Sequence, residues 1–290
     1  MPLVDTHAHL TFQDFDRDRA EVIERARSSG LVAIITVGIE PQEWDAAQSL
    51  AEQFEPVHVA LGVHPNSAHL ASDDAMAELA TRCRRWRSGR PDNPDVGGTG
   101  SGKRIVALGE TGLDYYWHKV PHEVQKQAFR AHLELARQLD LPVIVHNRDA
   151  HADVLDILKR DGAGTRGVMH SFSGDPDFAM QCIRLGYAIS LAGPVTFRRA
   201  VDKHRIAITT PLEWLVVETD CPFLTPEPYR GRRNEPAYVA YTAKAIASLR
   251  GLPHEQVAQA TTSNACRLFG PDLIGDRADR SFGSDRGDGK

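Results

Sequence analysis

Short β-branched runs alternate with amphipathic stretches along nearly the whole chain, and this alternation leaves few folds open. The strand-like runs are Leu3–His9, Val32–Gly38, Val57–Val63, Ile105–Glu110, Pro142–His146, Gly167–His170, Tyr187–Leu191 and Leu215–Thr219. Between them, apolar residues recur three or four apart, as in Trp44, Ala47, Ala51, Phe54 and in Met76, Leu79, Ala80, Cys83. That spacing marks a helix with one buried face. Gly30, Gly162, Gly186 and Gly251 each follow such a stretch and read as helix stops. Strand–helix repetition implies parallel strands with helices outside. Eight repeats predict an α/β chain closed as a (β/α)8 TIM barrel, although an open doubly wound sheet gives a similar pattern.

A single barrel can take up most of the 290 residues. The expected domain runs over 1–270. Two segments stand outside the pattern. The Gly/Pro-rich stretch at 87–103 lacks any apolar period and reads as a flexible insertion on the N-terminal face. The tail at 271–290 is polar and Gly-rich, and disorder is expected from Pro271 onward. Hydrophobic residues at 41% and charged residues at 25% are those of an ordinary globular protein. A formal net charge of −5 argues against a generic basic coating for nucleic acid. It leaves a local positive patch possible, and bound metal ions can supply one. No secretory leader or membrane-length apolar run is read, and Cys83, Cys182, Cys221 and Cys266 form no CxxC pair. A cytoplasmic monomer with free thiols and no membrane partner is the expectation.

The chemistry begins at Asp5-Thr6-His7-Ala8-His9. Residues two apart on a strand share a face, so His7 and His9 project together and can grip one metal ion. Asp5 shares their face but lies deeper and reads as a supporting residue. Other strand ends carry similar groups: Glu110 and Asp114 on the fourth, His146 on the fifth, His170 on the sixth, Glu218 and Asp220 on the eighth. In a barrel these ends converge on one ring. Burying so many polar groups unpaired would be costly, which favours ligands over core packing.

His7, His9, Glu110, His146, His170 and Asp220 are too many ligands for one tetrahedral ion but suit two. A carboxylate can bridge two cations. The expected arrangement is His7, His9, Asp220 and Glu110 around one, with His146, His170 and Glu110 around the other. A hydroxide held between them is the expected nucleophile, with Asp220 as general base. The mixed donors fit Zn²⁺ or Mn²⁺, with Mg²⁺ and Fe²⁺ also open.

The motifs DTHAHL (Asp5–Leu10), GVHP (Gly62–Pro65), GETGLDYY (Gly109–Tyr116), VIVHNRDA (Val143–Ala150), MHSFSG (Met169–Gly174), ETDCPFLTP (Glu218–Pro226) and YRGRRNEP (Tyr229–Pro236) follow in order along the chain. Together they resemble the TatD family of metal-dependent deoxyribonucleases, within the amidohydrolase-like barrels. The resemblance implies hydrolysis of DNA phosphodiesters, often as a 3′→5′ exonuclease, with the ligand roles above. RNA remains open as a substrate. The insertion and tail are longer than is usual in that family and touch none of these motifs.

Independently of the family, Arg198, Arg199, Arg230, Arg232 and Arg233 follow the seventh and eighth strands and can reach the mouth. Guanidinium groups suit phosphate oxygens. Arg230 is the expected phosphate contact, and two or three of the others are expected to be plain surface. His64 ends the third strand and could donate to a phosphate oxygen or pack its loop. Asp114 could bind a metal-held water on the substrate side or hold its loop. Tyr115, Tyr116 and Trp117 could stack on a base or anchor a loop. His58, His69, His118, His122, His132, His151, His204 and His254 read as ordinary surface residues, and Cys221 as packing. Asn264 and Leu268 belong to a last helix expected to close the barrel's edge. Two other classes of activity stay open: the same site acting on another ester, amide or lactone, and a barrel that only binds nucleic acid or a partner.

Overall fold

A computed structural model describes residues 2–87 and 105–274. Its eight strands hydrogen-bond in sequence order, β1 (Leu3–Ala8), β2 (Leu31–Gly38), β3 (Val57–Leu61), β4 (Ile105–Asp114), β5 (Val143–Arg148), β6 (Gly167–Met169), β7 (Tyr187–Leu191) and β8 (Leu215–Val217). Every neighbouring pair is parallel. The ring closes through the Ala8–Cys221 bridge, where the His9 amide donates to the Cys221 carbonyl at 2.8 Å and the Asp220 amide to the His7 carbonyl at 2.9 Å. The expected barrel is therefore the fold, and the open-sheet alternative falls.

The helices α1 (Arg19–Ser28), α2 (Trp44–Gln53), α3 (Asp73–Arg87), α4 (His122–Leu139), α5 (His151–Arg160), α6 (Pro176–Arg184), α7 (Val201–Thr209) and α8 (Val239–Arg250) follow the strands in turn. The last helix, α9 (His254–Phe269), comes directly after α8. Chain punctuation explains the boundaries. Asp175 caps α6 by accepting the Phe178 amide at 2.7 Å, with Pro176 in the first turn. Gly251 ends α8 at φ 64°, a conformation that costs glycine little.

Two apolar layers result. Strand residues such as Leu3, Ile34, Val59 and Val143 pack outward against helices through Phe129, Val154 and Ile246. Inside the barrel, Val4, Ile35, Val37, Ala107, Ile144, Val168 and Val216 form a second core with Leu268, Phe269, Leu273 and Ile274. Helix α9 thus plugs the floor as well as lying along the edge, where Asn264 donates to the carbonyls of Leu212 and Leu215 at 2.8 and 2.7 Å. The expectation of disorder from Pro271 needs correction. Pro271–Leu273 forms a 3₁₀ turn, and Leu273 and Ile274 are buried because they complete the floor. The tail beyond 274 and all of the insertion except Arg87 lie outside the described residues.

Two strand ends differ from expectation for physical reasons. β4 continues to Asp114 because Thr111 to Asp114 pair with Val145 to Arg148 beyond a register shift after Leu108. β8 stops at Val217, since the Thr219 amide turns to the Asp5 carboxylate at 2.9 Å.

Candidate metal centre

Each strand reaching the mouth delivers its polar residue by a definite device. On β1 and just past it, alternation puts His7 and His9 together, with their Nε2 atoms 3.1 Å apart. On β4, the register shift is a bulge-like irregularity that aims Glu110 into the ring. Gly112 lets β4 approach β5, since a Cβ there would stand 2.1 Å from the His146 carbonyl. At the barrel's closure, Asp220 takes a left-handed φ of 56°, which an Asp tolerates better than most residues.

The donors meet around Glu110, whose two oxygens face different nitrogens. Its Oε2 lies 3.4 Å from His7 Nε2 and 3.9 Å from His9 Nε2, while Asp220 Oδ1 lies 3.7 and 3.2 Å from the same two nitrogens. Glu110 Oε1 faces the other way, 2.6 Å from His146 Nδ1, 3.5 Å from His170 Nε2 and 3.6 Å from His64 Nε2. Four donors about 2.1 Å from one ion stand about 3.4 Å apart at the corners of a tetrahedron. All of these N–O separations lie near that spacing except the 2.6 Å His146–Glu110 approach, which is a hydrogen-bond distance. His7, His9 and Glu110 form one candidate ligand group, His7, His170 and Asp220 a second, and His64, Glu110 and His146 a third.

The electrostatics favour a cation. Burial alone would keep Glu110 protonated, but His170 and the histidines around it hold its carboxyl well below the usual range. Burial also disfavours charge on His170, yet Glu218, Glu110 and Asp220 raise it to about 10. Carboxylates thus dominate the buried charge, and in their neighbourhood a proton takes the place a metal ion would fill. Burial opposes ionisation of Asp220 as well, and His170, His9 and His7 keep it an anion. At Asp5, burial outweighs three donors and lifts the carboxyl to about 8. Its contacts run to Thr219 and the His7 amide, which matches a supporting role.

The structure therefore brings all of the expected ligands, His7, His9, Glu110, His146, His170 and Asp220, to one place. His64 joins them, and its Nδ1 accepts the Asn66 amide at 3.0 Å. The ring proton of the neutral form must then sit on Nε2, facing the centre as a donor. Burial pushes its pKa down to about 3, so the ring is neutral. Asp114 is buried: its Oδ1 accepts the amides of Tyr116 and Trp117 at 2.9 and 3.1 Å, and its Oδ2 lies 3.1 Å from His146 Nε2. It holds its loop and touches a ligand. Arg230 is exposed on the loop after β8, its guanidinium 4.4 Å from the Phe197 ring centre. Arg233, by contrast, is tied to Asp18 at 2.7 Å.

Sequence reasoning left one functional residue unassigned. Glu218 Oε1 stands 3.0 Å from His170 Nδ1 and accepts the Ser171 amide at 2.6 Å, and Oε2 accepts the Ser190 hydroxyl at 2.6 Å. Its position two residues before Asp220 was the available signal. His132 also departs from a surface role: it is fully buried, and its Nε2 accepts the Val63 amide at 3.1 Å, next to His64. Cys221 is packing, as expected; burial and Asp5 push its thiol well above the ordinary value.

A parallel eight-stranded barrel with a histidine–carboxylate cage at the carboxyl ends of its strands defines a metal-dependent hydrolase. The sequence matches the family described as TatD related DNase over residues 4–270, and the chain belongs to that family. It is 40% identical over 268 residues to the metal-dependent hydrolase YabD of Bacillus subtilis, covering 92% of this chain and 98% of the relative. It is 34% identical over 272 residues to the human deoxyribonuclease TATDN3, covering 92% and 94%. The crystal structure of the TatD homologue YJJV from Escherichia coli superposes with a TM-score of 0.82 at 31% identity, covering 92% of this chain and 97% of that one. Among the described residues, no helix is long and apolar enough to cross a membrane.

Proposed function

We propose that this hydrolase cleaves phosphodiester bonds of DNA from the 3′ end of single strands, using two divalent cations, Mg²⁺, Mn²⁺ or Zn²⁺. The observation that carries the reading is Glu110, whose two carboxylate oxygens face different nitrogen sets, His7 with His9 and His146 with His170. A bridging carboxylate in a two-ion site has this disposition. His7, His9, Glu110, His146, His170 and Asp220 would hold the cations, which when bound would supply charge to neutralise phosphate and to lower the pKa of a water. Asp220, whose side chain is 14% exposed, reaches the open side of the cage and accepts that water's proton. His64 Nε2–H donates to a phosphate oxygen. Arg230, with no carboxylate partner among the described residues, reaches the next phosphate.

The test uses oligonucleotides labelled at either end, single-stranded and duplex, in DNA and RNA, with each cation in turn. A ladder shortening from the 3′ end of single-stranded DNA, abolished by chelator, is expected. Fragments released from the 5′ end overturn the polarity. Hydrolysis of a lactone or carboxylic ester with no cleavage of any polynucleotide overturns the substrate.

A further inference from the structure

Tyr116 and Trp117 are exposed at 50% and 53%, an unusual cost for two adjacent large aromatics. They are not loose. Their amides are pinned by Asp114, whose other oxygen touches His146. Beneath them Tyr115 stacks on His122 at 3.6 Å and its hydroxyl donates to Asp153 at 2.5 Å. Of the two readings open at the sequence level, Tyr115 is the loop anchor, and its neighbours are left facing solvent.

Cations surround them. The Arg148 guanidinium lies 4.1 Å from the Tyr116 ring centre and 5.8 Å from that of Trp117, and the Lys119 ammonium lies 5.9 Å from Trp117. Both cations are exposed, and neither has a carboxylate partner among the described residues. A rigid pair of rings beside unneutralised positive charge suits a nucleobase with its phosphate. Arg148 lies two residues past His146 on the same strand, and Trp117 is only three residues from Asp114, at most about 11 Å of chain. The cluster therefore lies close to the cage.

We infer that Tyr116, Trp117, Arg148 and Lys119 form a base-stacking subsite for the polynucleotide strand whose end is being cleaved. The inference rests on the nuclease reading and deepens it. It assigns the grip on the strand to stacking and charge, so the subsite tolerates any base and requires an unpaired one.

The experiment measures binding of fluorescein-labelled oligothymidylate, about ten nucleotides long, against its abasic counterpart, whose phosphates are the same. Both are titrated into the parent protein in the presence of chelator, which the nuclease reading expects to abolish cleavage while leaving the aromatic and basic side chains in place. The base-containing strand should bind about tenfold or more tightly. Trp117→Ala with Tyr116→Ala should reduce that preference to about twofold, and Trp117→Phe should retain most of it. A double variant that keeps the full preference, or a parent that shows none, overturns the subsite. Cleavage of DNA by the parent enzyme without any base preference removes the subsite and leaves the nuclease reading standing. Base-dependent binding through Trp117 with no cleavage by the parent enzyme does the reverse.

Discussion

At the floor of the barrel Ile144, Val168 and Val216 pack against Leu268, Phe269 and Leu273, while two residues further along the chain, on β5 and just past the ends of β6 and β8, stand His146, His170 and Glu218. Alternation keeps each pair on one face, so a single inward stripe changes from apolar to ionisable within one repeat of the pleat. The floor buries hydrocarbon and stabilises. The mouth buries carboxylates and imidazoles at a desolvation cost that only close pairing or a cation offsets. Each end is vulnerable in its own way: stability resides below, chemistry above, and a substitution at one end should leave the other's property largely intact.

The separation is broken most directly at Glu110. Glu110→Gln keeps the shape but removes the charge that both nitrogen clusters face. Metal-dependent hydrolysis should fall by on the order of 10³-fold or more, with the protein still folded. Retention of more than about a tenth of the activity would remove Glu110 from the centre of the scheme. The converse substitution is Phe269→Ala, which opens a cavity in the floor. It should cost about 3–5 kcal/mol in urea unfolding and leave kcat unchanged well below the melting temperature. A drop in kcat with stability preserved would show that the two ends are coupled.

The same contrast explains what the sequence disclosed. The floor was legible because strand and helix periods are redundant: eight runs with the right spacing over the chain leave little freedom. The residues of the cage were legible because a histidine or carboxylate ending an apolar run has few structural excuses. Glu218 escaped because its partner, His170, follows β6 while Glu218 follows β8, with β7 between them, a relation that no local spacing encodes. His132 escaped for a similar reason. Its helical position says nothing of the Val63 amide 69 positions away in sequence. The fate of Leu273 and Ile274 was hidden because two apolar residues in a polar stretch carry no period.

At the mouth itself stands Glu218, whose Oε1 lies 3.0 Å from His170 Nδ1 and whose carboxylate is held by Ser171 and Ser190. Supporting carboxylates of this kind typically tune metal affinity about 10–100-fold. Glu218→Gln should weaken metal binding by that factor in a calorimetric titration, while activity at saturating metal stays within severalfold. An equal loss at saturating metal would instead make Glu218 a direct participant.

The smallest effect lies at His132, where burial lowers the imidazole pKa to about 4. Its Nε2 accepts the Val63 amide, so only the neutral ring fits. In the unfolded chain the same group titrates near about 6.5, and between these values the unfolded state binds more protons. The contribution is therefore complete above the unfolded value and is lost as pH falls toward the folded one. Metal-free protein should lose about 1–2 kcal/mol from this residue between pH 7.5 and 5, measured by urea unfolding. His132→Gln can still accept the amide but does not titrate, so its stability gap from wild type should narrow by the same amount over that interval. A gap that stays constant across the interval would mean that the ring titrates alike in the folded and unfolded chain, and that the Val63 loop carrying His64 is held by something else.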